Sequence, residues 1–178
     1  QKTAYDIMPS LVGSEMCIRD RFINSAKEVF ETLTEKVEIF QLALADTEES
    51  GDQTRVDLRS GEDGSLLMKP LGQLCLIEAF VRVKKSKQAN GGNISNTEIS
   101  NRINKFNWIK NNTLWQNVIM DADKIRSGAT TRDLTSRFIA YIICENLDND
   151  EKDNLLDKIK QQYQAKDRNN VKLPSLVK

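Results

Sequence analysis

Leu66-Leu67-Met68-Lys69-Pro70-Leu71-Gly72-Gln73-Leu74-Cys75-Leu76-Ile77-Glu78-Ala79-Phe80-Val81-Arg82-Val83-Lys84-Lys85 is the stretch whose reading decides the fold. Proline fixes φ near the helical value and lacks only the N–H that a first helical residue leaves unbonded, so Pro70 suits the start of a helix. The residue before a proline is pushed out of helical geometry, so the apolar run Leu66 to Lys69 is expected to be extended. From Leu71 to about Lys85 the apolar residues surround most of the helix axis, which marks a central helix covered on several sides. Gly72 is a poor helix former near its start, and a missing Cβ there lets a neighbouring backbone approach. Lys84, Lys85 and Lys87 favour the negative end of the helix, and Gly91-Gly92 closes the following turn.

Upstream, Phe22 to Leu44 carries apolar residues at 22, 26, 29, 30, 33, 37, 40 and 44, the period of one amphipathic helix. Its polar face bears Glu28, Glu31, Glu35 and Glu38. Asp46 to Gly64 is acidic and holds Gly51, Gly61 and Gly64, and reads as a long loop. Downstream, Ser95-Asn-Thr-Glu98 has the spacing of a capping box, in which hydroxyl and carboxylate each meet a free backbone N–H. Ile99, Ile103 and Phe106 follow it as a short helix. Trp108 and Trp115, seven residues apart, are expected to anchor two short elements in one core patch, a base-stacking platform being the alternative. Asp121 to Gly128 reads as a tight connection with a hairpin around Lys124-Ile125-Arg126. Thr130-Thr-Arg-Asp133 repeats the capping-box spacing before an apolar helix, and Asp148 to Glu151 precede a last helix with Leu155, Leu156, Ile159 and Tyr163. The expected fold is mainly α: a single helical domain of about five helices with a small hairpin, spanning residues 22–165, and a flexible tail over 166–178.

Composition narrows the chemistry. The 178 residues are 39% hydrophobic and 29% charged, and no apolar run approaches the ~20 residues of a membrane span. A cytoplasmic protein without membrane partners is expected. Cys17, Cys75 and Cys144 show no paired spacing for a disulfide or zinc site. There is no histidine, which excludes Ser-His-Asp and Cys-His catalysis within this chain and most transition-metal sites. No cofactor is expected. Asp121 and Asp123 form an acidic pair beside a turn, read as a solvated loop. Net charge is zero, yet Lys69 to Arg137 holds twelve basic residues against five acidic, an excess of seven. Such a block attracts a phosphate backbone, although lysines and arginines also simply solvate helix faces.

Ser10-Leu-Val-Gly-Ser-Glu-Met-Cys-Ile-Arg-Asp-Arg-Phe22 keeps neither helical nor strand period. Within it GSEMCIRDR is similar to translated sequencing-adaptor read-through, and the expectation is that residues 1–21 are foreign and the natural start is missing.

Three stretches carry a family resemblance. Leu66-Leu67-Met68-Lys69-Pro70-Leu71-Gly72-Gln73 resembles an "LLRPxGQ" run, Ile103-Asn104-Lys105-Phe106-Asn107-Trp108 an "LNKIDW" run, and Asn111-Asn112-Thr113-Leu114-Trp115 an "NPLW" run of DGQHR-domain proteins, which include the DndB-like DNA sulfur modification proteins. The resemblance covers about Phe22 to Tyr163 and corresponds to the C-terminal half of the family's larger α/β protein. Lys69 stands where the family commonly has arginine, and Thr113 where it often has proline. The naming Asp-Gly-Gln-His-Arg motif is absent, as it must be in a chain without histidine.

What the resemblance implies is a DNA-associated regulatory protein of phosphorothioate modification or phage defence. Nucleotide hydrolysis is attributed to the family, but none of its reactive residues carries over, so catalysis by this portion is not expected. Pro70, Gly72, Gln73, Asn104, Trp108 and Trp115 carry over as motif residues, each read as structural; Gln73 alone has an amide able to reach a partner's base or backbone. The candidate phosphate contacts are Lys84, Lys85, Lys87, Arg102, Lys105 and Lys110. The partners expected are DNA, the N-terminal half of the same protein, a second copy, or a modification-system protein. The alternative is a non-catalytic helical scaffold that packs on such a partner, and an exposed apolar groove would favour it.

Overall fold

A computed structural model describes residues 23–45, 51–60, 64–144, 149–163 and 171–175. The segment expected to be foreign and the proposed cap at Asp148 lie outside the described residues. Within them the fold is mainly α: α1 (residues 23–36), α2 (Glu38–Leu44), α3 (Gly51–Ser60), α4 (Pro70–Ala89), α5 (Asn96–Asn104), α6 (Ala129–Ile143) and α7 (Asn149–Gln162). Two-residue strands β1 (Met120–Asp121) and β2 (Lys124–Ile125) pair antiparallel, Met120 opposite Ile125, and supply the expected hairpin.

The central helix begins at Pro70 as expected, after Lys69 in extended geometry. Leu66–Met68, however, form a 3₁₀ turn rather than an extended run, because the Ser65 hydroxyl accepts from Leu67 N and caps it. Gly72 is required by this turn: a Cβ there would stand 2.0 Å from the Leu66 carbonyl oxygen. The far end of α4 runs past Lys85 to Ala89 and stops on a left-handed glycine, Gly91, at φ 71°. Gly92 N donates to Lys87 O and Gly91 N to Gln88 O, the paired bonds that satisfy carbonyls at a helix end.

Cys75, Leu76, Ala79, Phe80 and Val83 of α4 meet Leu134, Phe138, Ile139 and Ile142 of α6 in the core. The α4–α6 packing is the most extensive between any two elements described. Leu33 and Val37, Ile99 and Ile103, Trp108 and Trp115, and Leu155 and Ile159 complete the core from the flanks.

Several expectations are corrected. The single helix over 22–44 is two, broken at Val37, which is extended (φ −89°, ψ 113°) and fully buried. The stretch expected to be a long loop contains α3, which a Gln53–Asp57 hydrogen bond one turn apart (2.7 Å) and an Arg55 Nε bond to Ala43 O (2.9 Å) support. These two changes raise the expected five helices to seven. At Ser95 the hydroxyl caps Glu98 N as expected, but the Glu98 carboxylate turns to Arg102 at 2.7 Å instead of closing the box. The second capping box does not form: α6 starts one residue before Thr130, on Gly128 at φ 142°, and Asp133 is committed to ion pairs. Of the tail, expected to be flexible, residues 171–175 lie against the core through Val171 and Leu173, and Tyr141 Oη donates to Pro174 O at 3.2 Å.

Candidate functional site

The three stretches that carry the family resemblance, spread over residues 66–115, close onto one another. Leu66 N donates to Trp108 O, and Lys110 N to Gly64 O, which staples the turn before α4 to the segment after α5. Trp108 stacks on Trp115 with ring centroids 5.0 Å apart and planes 22° from parallel, and Phe138 meets Trp115 edge-on. Both indole N–H groups are spent on backbone carbonyls, Trp108 on Ile103 O and Trp115 on Asn107 O. Trp108 is 5% exposed and Trp115 0%, so the rings anchor the core and offer no face for base stacking. The 3₁₀ turn Thr113–Trp115 opens at Thr113, where a missing N–H costs nothing; threonine and proline are therefore interchangeable there.

Asn104 has a specific task. Its Oδ1 accepts from Glu38 N at 3.1 Å and its Nδ2 donates to Lys36 O at 2.7 Å, so one amide satisfies two backbone groups that flank Val37. Gln73, by contrast, is exposed and lines an apolar cleft of about 740 Å³ between α1, α2, α3 and α4.

The six cations singled out as phosphate contacts do not form one patch. Lys84, Lys85 and Lys87 sit together in the last turns of α4, and none of the three ammonium groups has a partner among the described residues. Arg102 is half-buried, with Nη2 on Glu98 at 2.7 Å and Nη1 on Ile143 O at 2.7 Å, where it caps the end of α6. Lys105 is exposed just after α5. Lys110 is fixed beside the turn that abuts Gly72, about 20 Å along α4 from Lys85 at 1.5 Å per residue.

The structure gathers other cations instead. Asp133 of α6 holds Arg82 of α4 at 2.6 Å, Arg137 at 3.0 Å and Lys158 of α7 at 3.9 Å. Arg82 also donates from Nε to Ser136 Oγ at 3.2 Å. Arg82, Arg137 and Lys85 line a cleft of about 500 Å³ between α4, α6 and α7, with Val83, Ala140, Cys144 and Leu155 as apolar surface. Arg82, Arg137 and Lys158 were missed in the sequence, although the spacing held a signal. Glu78, Arg82, Lys85 and Ala89 recur at i, i+4, i+7, i+11 on one face of α4, and Asp133, Arg137, Ala140 and Cys144 do the same on α6. Partner choice across helices is not written in that spacing.

Glu78 pairs with Arg132 at 3.0 Å on the same side of α4. Beside it Cys75, fully buried, has its thiol pushed up to about 11 from 9.0, mainly by burial, then by Glu78, with Arg132 acting the other way. It is a structural thiol, not a nucleophile. Burial also raises the Tyr141 phenol. Asp121 pairs with Arg126 at 3.2 Å. Among the described residues no group of three or more His, Cys, Asp or Glu could hold a metal ion, and no helix is long and apolar enough to cross a membrane. Comparison with family models, curated proteins and solved structures finds no match to this chain.

Proposed function

We propose that this chain is the helical C-terminal portion of a larger α/β protein of the DGQHR-domain family, and that it serves as a DNA-associated regulatory module of the DndB-like kind. The observation that carries the DNA reading is the end of α4, where the ammonium groups of Lys84, Lys85 and Lys87 have no partner among the described residues and Lys85 lines the same cleft as Arg82 and Arg137. Each such cation that neutralises a phosphate releases condensed counterions, giving affinity without sequence selection. No described helix is presented as a groove reader, so the binding is to the backbone. Family membership is supported by the three resembling stretches meeting at Leu66, Trp108 and Trp115.

The test is duplex binding at 50 and 200 mM salt. Affinity is expected to fall steeply over that range, and replacing Lys84, Lys85 and Lys87 together with glutamine should reduce the salt slope by about three. Absent or salt-insensitive binding removes the reading.

A second reading, a non-catalytic scaffold, is favoured by the apolar cleft on the opposite end of α4. Phe30 and Leu44 at its edge are 54% and 61% exposed, large apolar surfaces of the kind a covering protein buries. Phe30→Glu should then abolish association with a covering subunit while leaving duplex binding unchanged.

A further inference from the structure

The cleft between α4, α6 and α7 holds more positive charge than its carboxylates match. Arg82, Lys85 and Arg137 line it against one lining carboxylate, Glu151, while Asp133, behind the lining, pairs with Arg82, Arg137 and Lys158. Arg137 Nε lies 3.0 Å from Asp133 as an ion pair without hydrogen-bond geometry, and neither its guanidinium nor the Lys85 ammonium makes a hydrogen bond among the described residues. Guanidinium and ammonium donors thus line one space from two helices. Donors from two helices can meet several oxygens of one tetrahedral dianion, and a guanidinium fork suits phosphate geometry.

Two helices end at this cleft, and their carbonyls would repel an anion if left bare. Several of them are occupied instead. Ser86 O and Lys87 O accept from Asn90 N and Gly92 N, Asn90 Nδ2 adds a second bond to Ser86 O, and Arg102 caps Ile143 O. The apolar surface supplied by Val83, Ala140, Cys144 and Leu155 keeps the local dielectric low, which strengthens attraction between the remaining charges and an entering anion.

We propose that this cleft seats a phosphoryl group, with Asp133 as the internal counter-anion that holds Arg82 and Arg137 in place and shares them with the ligand. The inference stands on the ion-pair geometry and does not require the DNA reading. The phosphoryl group can belong to a nucleic-acid backbone or to a free small phosphate, and the two sources are separable.

The experiment titrates the intact chain with inorganic phosphate, and separately with a short duplex, by calorimetry and by the chemical shifts of the arginine Nε–H groups. Lys85→Gln and Arg137→Gln are expected to weaken phosphate binding about three- to tenfold, the loss of one charge-assisted contact. Asp133→Asn is expected to tighten it by a similar factor. Because that variant also breaks three ion pairs, Glu151→Gln, which removes an exposed carboxylate on the same cleft, provides the second measurement and should also tighten binding. No phosphate binding by the unaltered chain, unchanged affinity in Lys85→Gln, or weaker binding in Glu151→Gln would overturn the proposal and leave the ion pairs as a clamp between helices. Phosphate that displaces duplex, with both lost in Arg137→Gln, assigns the site to the backbone. Duplex binding that survives saturating phosphate assigns it to a free phosphate. Phosphate binding without any duplex binding upholds this site while removing the DNA reading.

Discussion

Gly72 and Cys75, one helical turn apart on α4, are determined by different physics. At Gly72 the Leu66 carbonyl occupies the space of a Cβ, and that carbonyl is backbone held by the bond from Lys69 N, so it cannot swing aside. Gly72→Ala should therefore lower stability by about 3 kcal/mol, the upper range for overpacking, measured as a shift in the urea midpoint at constant slope. Cys75 is an electrostatic matter. Its thiol titrates near 11 in the folded chain and near 9.0 when unfolded, so the folded state retains a proton that the unfolded state releases. The stability this confers is complete below pH 9 and is lost as pH rises toward 11. Melts at pH 8 and pH 10.5 should accordingly show a smaller stability gap between the wild-type chain and Cys75→Ala at the higher pH; a constant gap would refute the assignment. The apolar residues around Cys75 place its thiol in the core, whereas the close backbone approach expected at Gly72 has a partner, the Leu66 carbonyl, that the sequence does not identify.

The break between α1 and α2 shows what an element owes to distant chain. Apolar spacing over 22–44 is continuous, and nothing local forbids one helix there. Val37 leaves helical geometry to become fully buried, and the amide of Asn104, from α5, takes over the backbone groups of Lys36 and Glu38 that the break exposes. Asn104→Ala should cost about 1–2 kcal/mol for the two lost hydrogen bonds, with faster amide exchange confined to residues 36–41 as the diagnostic. Uniform exchange throughout the chain would mean that the amide does not hold the break. At α3 the misreading has the opposite cause. Polar composition and glycine suggested a loop, but Arg55 finds Ala43 O and Leu58 O accepts from Ser65 N, tertiary partners that stabilise a helix of weak intrinsic preference. The turn that closes α4, in contrast, is legible, because Gly91-Gly92 is a local stop signal that works wherever the helix packs, although the helix runs on past Lys85 to Ala89 before it.

Across the whole molecule, α6 is the surface on which the rest assembles: α4 covers one side, α5 is tied to its end by Arg102, α7 joins through Lys158 and Asp133, and the chain near Pro174 is tied to Tyr141. Tyr141→Phe should release residues 171–175, seen as loss of their exchange protection, at a cost of about 1 kcal/mol to global stability. Unchanged protection would show that Val171 and Leu173 suffice. The amino-acid sequence alone determined the helical class, the Pro70 start and glycine stop of α4, the hairpin at Lys124, and the burial of both tryptophans. Each follows from local backbone sterics or from apolar spacing, which act wherever the segment lies. Only the tertiary structure decided that the break falls at Val37, that Arg102 closes a helix, and that Arg82, Arg137 and Lys158 converge on Asp133. Charges and amides are partnered through space at about 3 Å, and the sequence distance between such partners, 51 residues for Arg82 and Asp133, carries no trace of that proximity.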